Sequence, residues 1–475
     1  MSAISDRPSA LQFLLGRVNY ERTQDIPYQT SEFKLDRMRR LLAHLGDPHL
    51  GLPALHIAGT KGKGSTAAML AATLQAAGYC TGLYTSPHLE EIEERIAIDG
   101  QQCSPGDFVA LAAEVQTAVE RLEYEFKASH DSRMGPTFFE VTTAMAFLHF
   151  ARRAVDAAVL EVGLGGRLDS TNVCVPLVSV VTSISFDHIK QLGHTLTAIA
   201  GEKAGIIKPH VPVVSGVVAP EPQRVIERVA AEQQARLYQR GRDFDFNIHA
   251  VEPALVDRID YREPASRVWP DLNNLSLGML GEHQAANAAV AIAALARLCE
   301  QGWTLTEANV RHGLATARCQ ARIEVLRQRP TVICDAAHNV ASIAALVKVL
   351  QQRFVAPRRV LIFASSKDKD TRGMLRLLLP EFDDLIFTRY IHNPRAVEPH
   401  DLAALAREAM EVNGARDRKA LPTRLETAPD PTSALQRATQ LATADDLICI
   451  TGSFFLAAEL QPLLAGNKLS PAGTR

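Results

Sequence analysis

Residues 55–66 read Leu-His-Ile-Ala-Gly-Thr-Lys-Gly-Lys-Gly-Ser-Thr, and this stretch decides the fold. An apolar run over residues 54–58 leads into the glycines, and an alanine-rich, helix-forming segment over residues 67–74 follows them. This order predicts a strand, a phosphate-binding loop and a helix. Glycines let backbone N–H groups approach phosphate oxygens, and the helix N-terminus adds partial positive charge. A lysine at the position of Lys63 can reach the β- and γ-phosphates, so the stretch predicts ATP binding.

The loop departs from the common phosphate-loop pattern G-x-x-x-x-G-K-[ST]. Ile57 stands at the position of the first glycine, and Gly64 separates Lys63 from Ser65. The alternative interpretation is therefore a glycine-rich turn between a strand and a helix that binds no nucleotide.

The bulk composition excludes several classes of protein. A chain of 475 residues is too long for one ordinary core, so two domains are expected. The net charge of −2 and the lack of a basic block argue against a nucleic-acid partner. No apolar run has the length of a membrane span, and the N-terminus lacks the apolar core of a signal peptide. The 7 cysteines are scattered without a C-x-x-C pair, which indicates a reducing compartment. These features predict a soluble, cytoplasmic protein without a membrane partner.

Short apolar runs alternate with helical segments, which predicts an α/β fold with a largely parallel sheet. In the first part we expect strands at residues 54–58, 81–85, 157–161, 177–182 and 211–215, and helices near 66–77, 106–124, 138–152, 195–205, 221–236 and 282–300. Residues 237–278 have the alternating pattern of a small antiparallel insertion. A second alternation begins near residue 322, with strands at 331–335, 359–364, 384–388 and 447–451 and helices near 340–353, 371–378, 399–411 and 431–440. We therefore expect an N-terminal ATP-binding domain over residues 1–319 and a smaller Rossmann-like domain over 320–475.

Polar residues follow three of the predicted strands, where loops of a doubly wound sheet form a site. Ser86 could ligate a metal through its hydroxyl, although a plain Ser-Pro turn also explains it. Glu161 ends an apolar strand before a glycine-rich loop, as acidic magnesium ligands do in other ATPases. The alternative there is a charged strand cap and a flexible turn. His188 lies in the same layer of loops, but a lone histidine is more often structural.

Four further positions are ambiguous from the sequence alone. Lys203 follows Glu202 and would ordinarily form a solvated pair with it. Asn287 could bond an adenine edge or merely pack within its alanine-rich helix. Arg322 and Asp335 would reach ATP only if two domains close over it, which would expel water and align the reactants.

Taken together, these motifs resemble the folylpolyglutamate synthetase/dihydrofolate synthetase family of the Mur ligase superfamily. The resemblance runs from about residue 19 to residue 460, and the joint order of the motifs is what makes it specific. The motifs are residues 59–66, 84–88, 136–140, 160–172, 187–188, 202–209, 283–287, 335–339, 367–370 and 452–455.

The resemblance implies roles for the matching residues. The expected ATP contacts are Gly59, Thr60, Gly62, Lys63, Gly64, Ser65, Asn287, Arg322 and Asp335. One or two Mg²⁺ ions are expected on Ser86, Glu161, His188 and Lys203, with Lys203 converted to a carbamate. Lys63, Lys203 and His188 are the expected catalytic residues. The expected pterin contacts are Thr137, Phe138, Phe139, Glu140, Leu168, Asp169 and Ser170, with residues 31–37 nearby.

The implied reaction has two steps. A carboxylate of the pterin substrate attacks the γ-phosphate of ATP, and the amino group of L-glutamate then displaces phosphate from the acyl phosphate. The acceptor is dihydropteroate, a folate or both, and a monomer is expected. A Mur-type ligase with another carboxylate acceptor and a non-catalytic ATP-binding protein are the alternatives.

Three positions depart from the family pattern. Lys61 stands where many members carry asparagine, and it adds charge beside the phosphates. Residues 320–322 read Gln-Ala-Arg where Pro-Gly-Arg is usual, and residues 335–340 read Asp-Ala-Ala-His-Asn-Val where Asp-Gly-Ala-His-Asn-Pro is usual. These departures affect the expected hinge and loop shape more than the expected chemistry.

Overall fold

The structure is a computed structural model that describes residues 3–20, 35–129, 135–251, 256–414 and 422–465. Its α-helices are α1 (Arg7–Leu15), α2 (Leu35–Ala43), α3 (Lys63–Ala76), α4 (Pro105–Ala128), α5 (Phe138–Arg152), α6 (Ile189–Leu192), α7 (Leu196–Ala204), α8 (Pro220–Glu232), α9 (Glu282–Glu300), α10 (Glu307–Thr316), α11 (Val340–Arg353), α12 (Thr371–Leu378), α13 (Pro399–Gly414), α14 (Pro431–Leu441) and α15 (Phe454–Ala465). Its strands are β1 (Ala54–Ala58), β2 (Thr81–Tyr84), β3 (Ile96–Ile98), β4 (Gln101–Gln102), β5 (Ala157–Glu161), β6 (Val178–Val181), β7 (Val213–Ser215), β8 (Leu237–Gln239), β9 (Asp245–Val251), β10 (Val256–Arg262), β11 (Asp271–Leu277), β12 (Glu324–Gln328), β13 (Thr331–Cys334), β14 (Arg359–Phe363), β15 (Asp384–Phe387), β16 (Arg424–Thr427) and β17 (Leu447–Thr451).

β1 lies inside an eight-stranded sheet of order β4-β3-β2-β5-β1-β6-β7-β8. It pairs in parallel with β5 on one side and β6 on the other, and Ile57 aligns with both Glu161 and Val180. Every residue of β1 and β5 is buried, as expected of strands covered on both faces. The parallel α/β fold predicted from the alternation is confirmed.

The order of strands brings the predicted site loops to one edge. The chain moves from β1 to β2 and later returns to β5 and β6 on either side of β1. Ligands of such sheets bind outside the carboxyl ends of the strands where the order reverses. The loops after β1, β2, β5 and β6 therefore share the edge on which the sequence placed ATP.

The antiparallel insertion forms a separate three-stranded sheet of order β11-β10-β9. Its strands lie within residues 245–277, a shorter range than the predicted insertion of 237–278. The difference arises because β8, at the start of the predicted range, pairs in parallel with β7 and so belongs to the main sheet. A buried ion pair between Arg297 of α9 and Glu263, 2.6 Å long, lies just after β10. This pair attaches the insertion to the helix that also carries Asn287.

The chain divides into two compact units. The first contains the described residues up to Arg318 apart from residues 279–281, and the second contains those three residues and the described chain from Cys319. The second unit has a six-stranded sheet of order β12-β13-β17-β14-β15-β16, in which only β12 is antiparallel to its neighbour. Its core is built from leucine, isoleucine, valine and phenylalanine side chains.

Some elements differ from the sequence expectation. The helices α5, α9, α11 and α12 begin and end where predicted, whereas α1, α2, α6, α10 and α15 were not predicted. The 7 cysteines are all free. Within the described part of the chain, no helix combines the length and the apolar character that a membrane span requires.

Candidate functional site

Two glycines of the phosphate loop are required by their neighbours. Gly59 has φ +156°, and a Cβ there would overlap the Thr182 hydroxyl. Gly62, immediately before α3, has φ +84°, and a Cβ there would overlap the side-chain oxygen of Asn287. The structure thus brings Asn287, a predicted nucleotide contact, against the loop that is expected to hold the phosphates.

Hydrogen bonds hold the phosphate loop to the segment that follows β6. The Thr60 N–H donates to the Ser183 carbonyl at 2.7 Å, and the Lys61 N–H donates to the Ser183 hydroxyl at 3.0 Å. The Thr182 hydroxyl donates to the Lys61 carbonyl at 2.6 Å. The Ser185 N–H donates to the Thr60 hydroxyl at 3.1 Å. The loop is therefore attached to the centre of the sheet by both backbone and side-chain groups.

Lysine side chains converge on this loop. The Gly59 carbonyl accepts hydrogen bonds from Lys63 Nζ at 3.2 Å and from Lys203 Nζ at 2.9 Å. Lys203 is only 4% exposed. Burial, together with the charges of Lys63 and Lys61, lowers the pKa of Lys203 to about 7, although Asp187 opposes the shift. Near neutral pH, much of Lys203 is therefore a neutral amine, which is the nucleophilic form of the group.

Ser86 and Glu161 lie at the ends of neighbouring strands. β2 and β5 pair in parallel, and the Ser86 N–H donates to Glu161 Oε2 at 3.3 Å. Glu161 is 5% exposed, and its carboxylate and the Ser86 hydroxyl are the hard oxygen donors that Mg²⁺ prefers. Among the described residues, no group of three His, Cys, Asp or Glu side chains could hold a metal ion. The donors fit Mg²⁺, because this ion takes few protein ligands and keeps water or phosphate oxygens for the rest.

His188 lies on the loop after β6 in a left-handed conformation, with φ +48°. Its side chain is 50% exposed, and its Nε2 lies 4.0 Å from Asp187 Oδ1. The sequence analysis included Asp187 in a motif but gave it no role, and its carboxylate also accepts a hydrogen bond from Lys61 Nζ at 2.8 Å. The adjacency of Asp187 to His188 and the unusual Lys61 were the two available signals.

Asp169 stabilises the glycine-rich loop after β5 from inside. Its carboxylate accepts N–H groups from Gly163, Leu164 and Thr171 at 3.0–3.1 Å. Burial raises the pKa of Asp169, and these hydrogen bonds oppose the shift. Of the three pterin contacts predicted in this loop, Asp169 and Ser170 are buried, whereas Leu168 is half-buried.

The start of α5 is held by a buried ion pair. Thr137 caps the helix, and Glu140 accepts the Thr137 N–H at 2.8 Å. Glu140 also pairs with Arg37 Nη2 at 2.8 Å, a contact that the sequence did not predict. Phe138 packs in the core. Phe139 is half-buried, whereas the other three predicted pterin contacts at the start of α5 are buried. Its ring lies against Gly163, where a Cβ would overlap it.

Asp335 fixes a turn in the second unit. Its carboxylate accepts the N–H groups of Ile323 and Ala337, both at 2.8 Å. Burial raises the pKa of Asp335, and the charge of Arg322 opposes the shift. Arg322 is half-buried beside it and donates to the carbonyl of Ala321. Asp335 directly follows β13 and Arg322 lies just before β12, which pairs with β13, so the two predicted nucleotide contacts of this unit are neighbours.

Comparisons with known proteins find two matching domain families and similar proteins over most of the chain. The Mur ligase middle domain matches residues 106–295, and the glutamate ligase domain of Mur ligases matches residues 321–454. A dihydrofolate synthase/folylpolyglutamate synthase of Bacillus subtilis is 34% identical over 434 residues, which cover 90% of this chain and 94% of that protein.

Two solved structures are similar over nearly the whole chain. Folylpolyglutamate synthase of Mycobacterium tuberculosis, solved with ADP and AMPPCP, has a TM-score of 0.83 at 33% identity and covers 98% of this chain and 100% of its own. The E. coli protein FolC, in complex with DHPP and ADP, has a TM-score of 0.81 at 28% identity and covers 99% of this chain and 100% of its own.

Proposed function

The chain belongs to the folylpolyglutamate synthase/dihydrofolate synthase family of Mur ligases, and we propose that the edge of the sheet around Gly59 is its catalytic site. Members of this family are ATP-dependent amide ligases that join glutamate to folates. The observation that carries this proposal is the convergence of Lys63 and Lys203 on the Gly59 carbonyl, at the edge where β5 ends in Glu161. A phosphate loop, a cation and hard oxygen donors are what phosphoryl transfer requires.

Lys63 and the phosphate loop would activate the acceptor carboxylate. That carboxylate attacks the γ-phosphate of ATP, a new C–O–P linkage forms, and ADP leaves. The ammonium of Lys63 and the N–H groups at the start of α3 would stabilise negative charge on the transferring phosphoryl group. The amine of L-glutamate then attacks the acyl carbon, an amide bond forms, and phosphate leaves with the bonding electrons while the amine loses a proton.

Mg²⁺ would be held by Ser86, Glu161 and His188, together with oxygen atoms of the nucleotide. When bound, the ion would neutralise charge on the β- and γ-phosphates. The N–H of Ser86 orients the Glu161 carboxylate by hydrogen bonding to it. The proton on His188 Nδ1 or Nε2 must leave whichever nitrogen faces the ion, because only an unprotonated ring nitrogen binds a metal.

Lys203 is the proposed site of carbamate formation. Its neutral amine would attack CO₂, an N–C bond would form and one proton would be released. The product exchanges a buried cation for an anion with two oxygen donors. The lowered pKa of Lys203, about 7, and the nearby charge of Lys63 support this assignment, because both disfavour the ammonium form. Mass analysis of intact protein under bicarbonate would detect the added CO₂.

The acceptor is proposed to be a pterin carboxylate, dihydropteroate or a folate, held beside the half-buried Phe139 and Leu168. Asn287, Arg322 and Asp335 remain the proposed nucleotide contacts outside the phosphate loop. Residues 1–319 and 320–475 remain the proposed domains, and a cytoplasmic monomer remains the expectation. Most of the segment 31–37, expected near the pterin, lies outside the described residues.

The test is a product assay with Mg·ATP, L-glutamate and either dihydropteroate or tetrahydrofolate, read by mass. We expect the mass of one glutamyl group to be added to at least one acceptor, and we expect no addition in a Lys63→Met variant. Addition to both acceptors would identify a bifunctional enzyme. If folded, ATP-binding protein extends neither acceptor, the folate assignment is wrong.

A further inference from the structure

Both carboxylate oxygens of Asp187 accept a hydrogen bond. Oδ2 accepts a hydrogen bond from Lys61 Nζ at 2.8 Å, and Oδ1 accepts the N–H of His188 at 3.0 Å. The Asp187 side chain is only 9% exposed, whereas that of Lys61 is 31% exposed. A carboxylate so far removed from water depends on nearby positive charge and on hydrogen bonds to stay ionised. Asp187 therefore joins the ammonium of Lys61 to the backbone of His188.

The backbone of His188 needs such support. Its φ of +48° lies in the left-handed region, which is unfavourable for a residue with a Cβ. The same residue precedes α6, and its carbonyl accepts the N–H groups of Gln191 and Leu192. This conformation sets the direction of the Cα–Cβ bond, from which the imidazole extends. A hydrogen bond that holds the His188 N–H therefore also restrains the position from which the ring extends.

Lys61 stands on a firmly held part of the loop. Its N–H and its carbonyl both bond to Ser183, at 3.0 Å each, and the carbonyl accepts a further bond from Thr182. The ammonium extends from this anchored backbone across to Asp187. A continuous set of contacts thus runs from the phosphate loop through Lys61 and Asp187 to the backbone of His188.

We propose that Lys61 is a positioning residue that acts through Asp187 to set His188 for metal binding, rather than a direct contact of the phosphates. This inference rests on the proposed function, in which His188 is a magnesium ligand. The ammonium of Lys61 is paired with the largely buried carboxylate of Asp187. If Lys61 moved away to contact a phosphate, the Asp187 carboxylate would lose this ion pair, which is unfavourable for a buried charge. The asparagine usual at this position carries no charge with which to make this ion pair.

The test compares Lys61→Met with Lys61→Arg, which keeps the charge, and with Lys127→Met, which removes an exposed lysine of α4. Calorimetry measures binding of AMPPCP across a Mg²⁺ titration and again in EDTA. For Lys61→Met we expect the Mg²⁺ concentration at half-saturation to rise about tenfold, as for other residues that orient metal ligands. Binding in EDTA should change less than about twofold, and the arginine and Lys127 variants should resemble the wild type.

Two outcomes would overturn the proposal. Equal weakening with and without Mg²⁺ would make Lys61 a direct phosphate contact, and an unchanged Mg²⁺ requirement would leave it without a positioning role. Asp187→Asn should raise the Mg²⁺ requirement as Lys61→Met does, and the double variant should be no worse than either single variant. Additive effects would contradict a contact path shared by Lys61 and Asp187. If one of the single variants fails to fold, the double variant is measured in its place.

Hydrogen exchange separates this inference from the proposed function. In nucleotide-free protein, the His188 amide should exchange faster in Lys61→Met than in the wild type, while Lys61→Arg should protect it. An unchanged exchange rate would refute the positioning role even in an active ligase. If the His188 amide exchanges faster in Lys61→Met but the wild type fails the product assay, the positioning role of Lys61 stands and only the folate assignment is rejected.

Discussion

Arg37 and Lys203 are both buried basic side chains of the first unit, at 3% and 4% exposure, but they contact opposite kinds of group. Arg37 meets the carboxylate of Glu140 through Nε and Nη2, in a two-pronged ion pair. Lys203 donates to a neutral carbonyl, that of Gly59, and its pKa falls to about 7. A buried basic side chain thus stabilises the fold where a carboxylate neutralises its charge, and becomes a reactive amine where its partner is a neutral carbonyl.

The largest expected effect comes from Lys203→Met. Loss of the amine should lower kcat about 10²- to 10³-fold, because the carbamate that would help to hold Mg²⁺ beside the reacting phosphates could no longer form. Thermal stability should stay equal or rise, since an apolar side chain replaces a buried amine. Steady-state kinetics and a melting curve check both, with Lys127→Met as the control. A variant that retains more than a tenth of the wild-type kcat would show that Lys203 is structural.

Glu140→Gln should have the opposite profile. It leaves the Arg37 guanidinium buried without a carboxylate and should cost about 3 kcal/mol of unfolding free energy. Urea denaturation measures this loss. The double variant Arg37→Met, Glu140→Met is the matched control and should lose less than the single variant, because no charge is left unpaired. A single variant as stable as the wild type would mean that the pair contributes nothing to the fold.

The free energy of unfolding should depend on pH through Lys203. Lys203 has a folded-state pKa of about 7 against 10.5 for an ordinary lysine, so between these values the unfolded state binds more protons. Stability therefore rises with pH in this window, by about 2 kcal/mol from pH 7 to pH 9. The rise should be absent in Lys203→Met when both are unfolded in CO₂-free buffer. Parallel curves for the two proteins would contradict the lowered pKa.

The smallest effect should follow from Arg37→Lys. Lysine keeps the charge but cannot make the two-pronged contact with Glu140, so the loss should be about 1 kcal/mol. Urea denaturation with Glu140→Gln in the same series gives the scale. A loss as large as that of Glu140→Gln would show that the geometry of the guanidinium matters more than its charge.

Much of the fold could be read from local patterns. β1, β5 and β17 have the bounds expected from their apolar runs, and the alternation alone predicted two parallel sheets. α1 was not predicted, because it is only 9 residues long and the exposed Leu15 obscures the apolar face formed by Ala10, Phe13 and Leu14. β8 was assigned to the insertion, since only its pairing with β7 reveals its place.

The candidate site was predicted less completely, for a different reason. Strand ends located Ser86, Glu161 and the phosphate loop, because topology places them on one edge. The pairs Lys61–Asp187 and Arg37–Glu140 join residues 126 and 103 positions apart, and no local pattern links such residues.

The attachment of the phosphate loop to the segment after β6 has a kinetic consequence. Thr60 and Lys61 are held by hydroxyl and carbonyl groups of the protein itself, so the loop is ordered when the chain folds. The phosphate-binding loop would therefore be preformed, and nucleotide binding would need no rearrangement of this segment. The association rate of the nucleotide would then be governed by diffusion and by the attraction between phosphates and lysines, and should fall as salt is added.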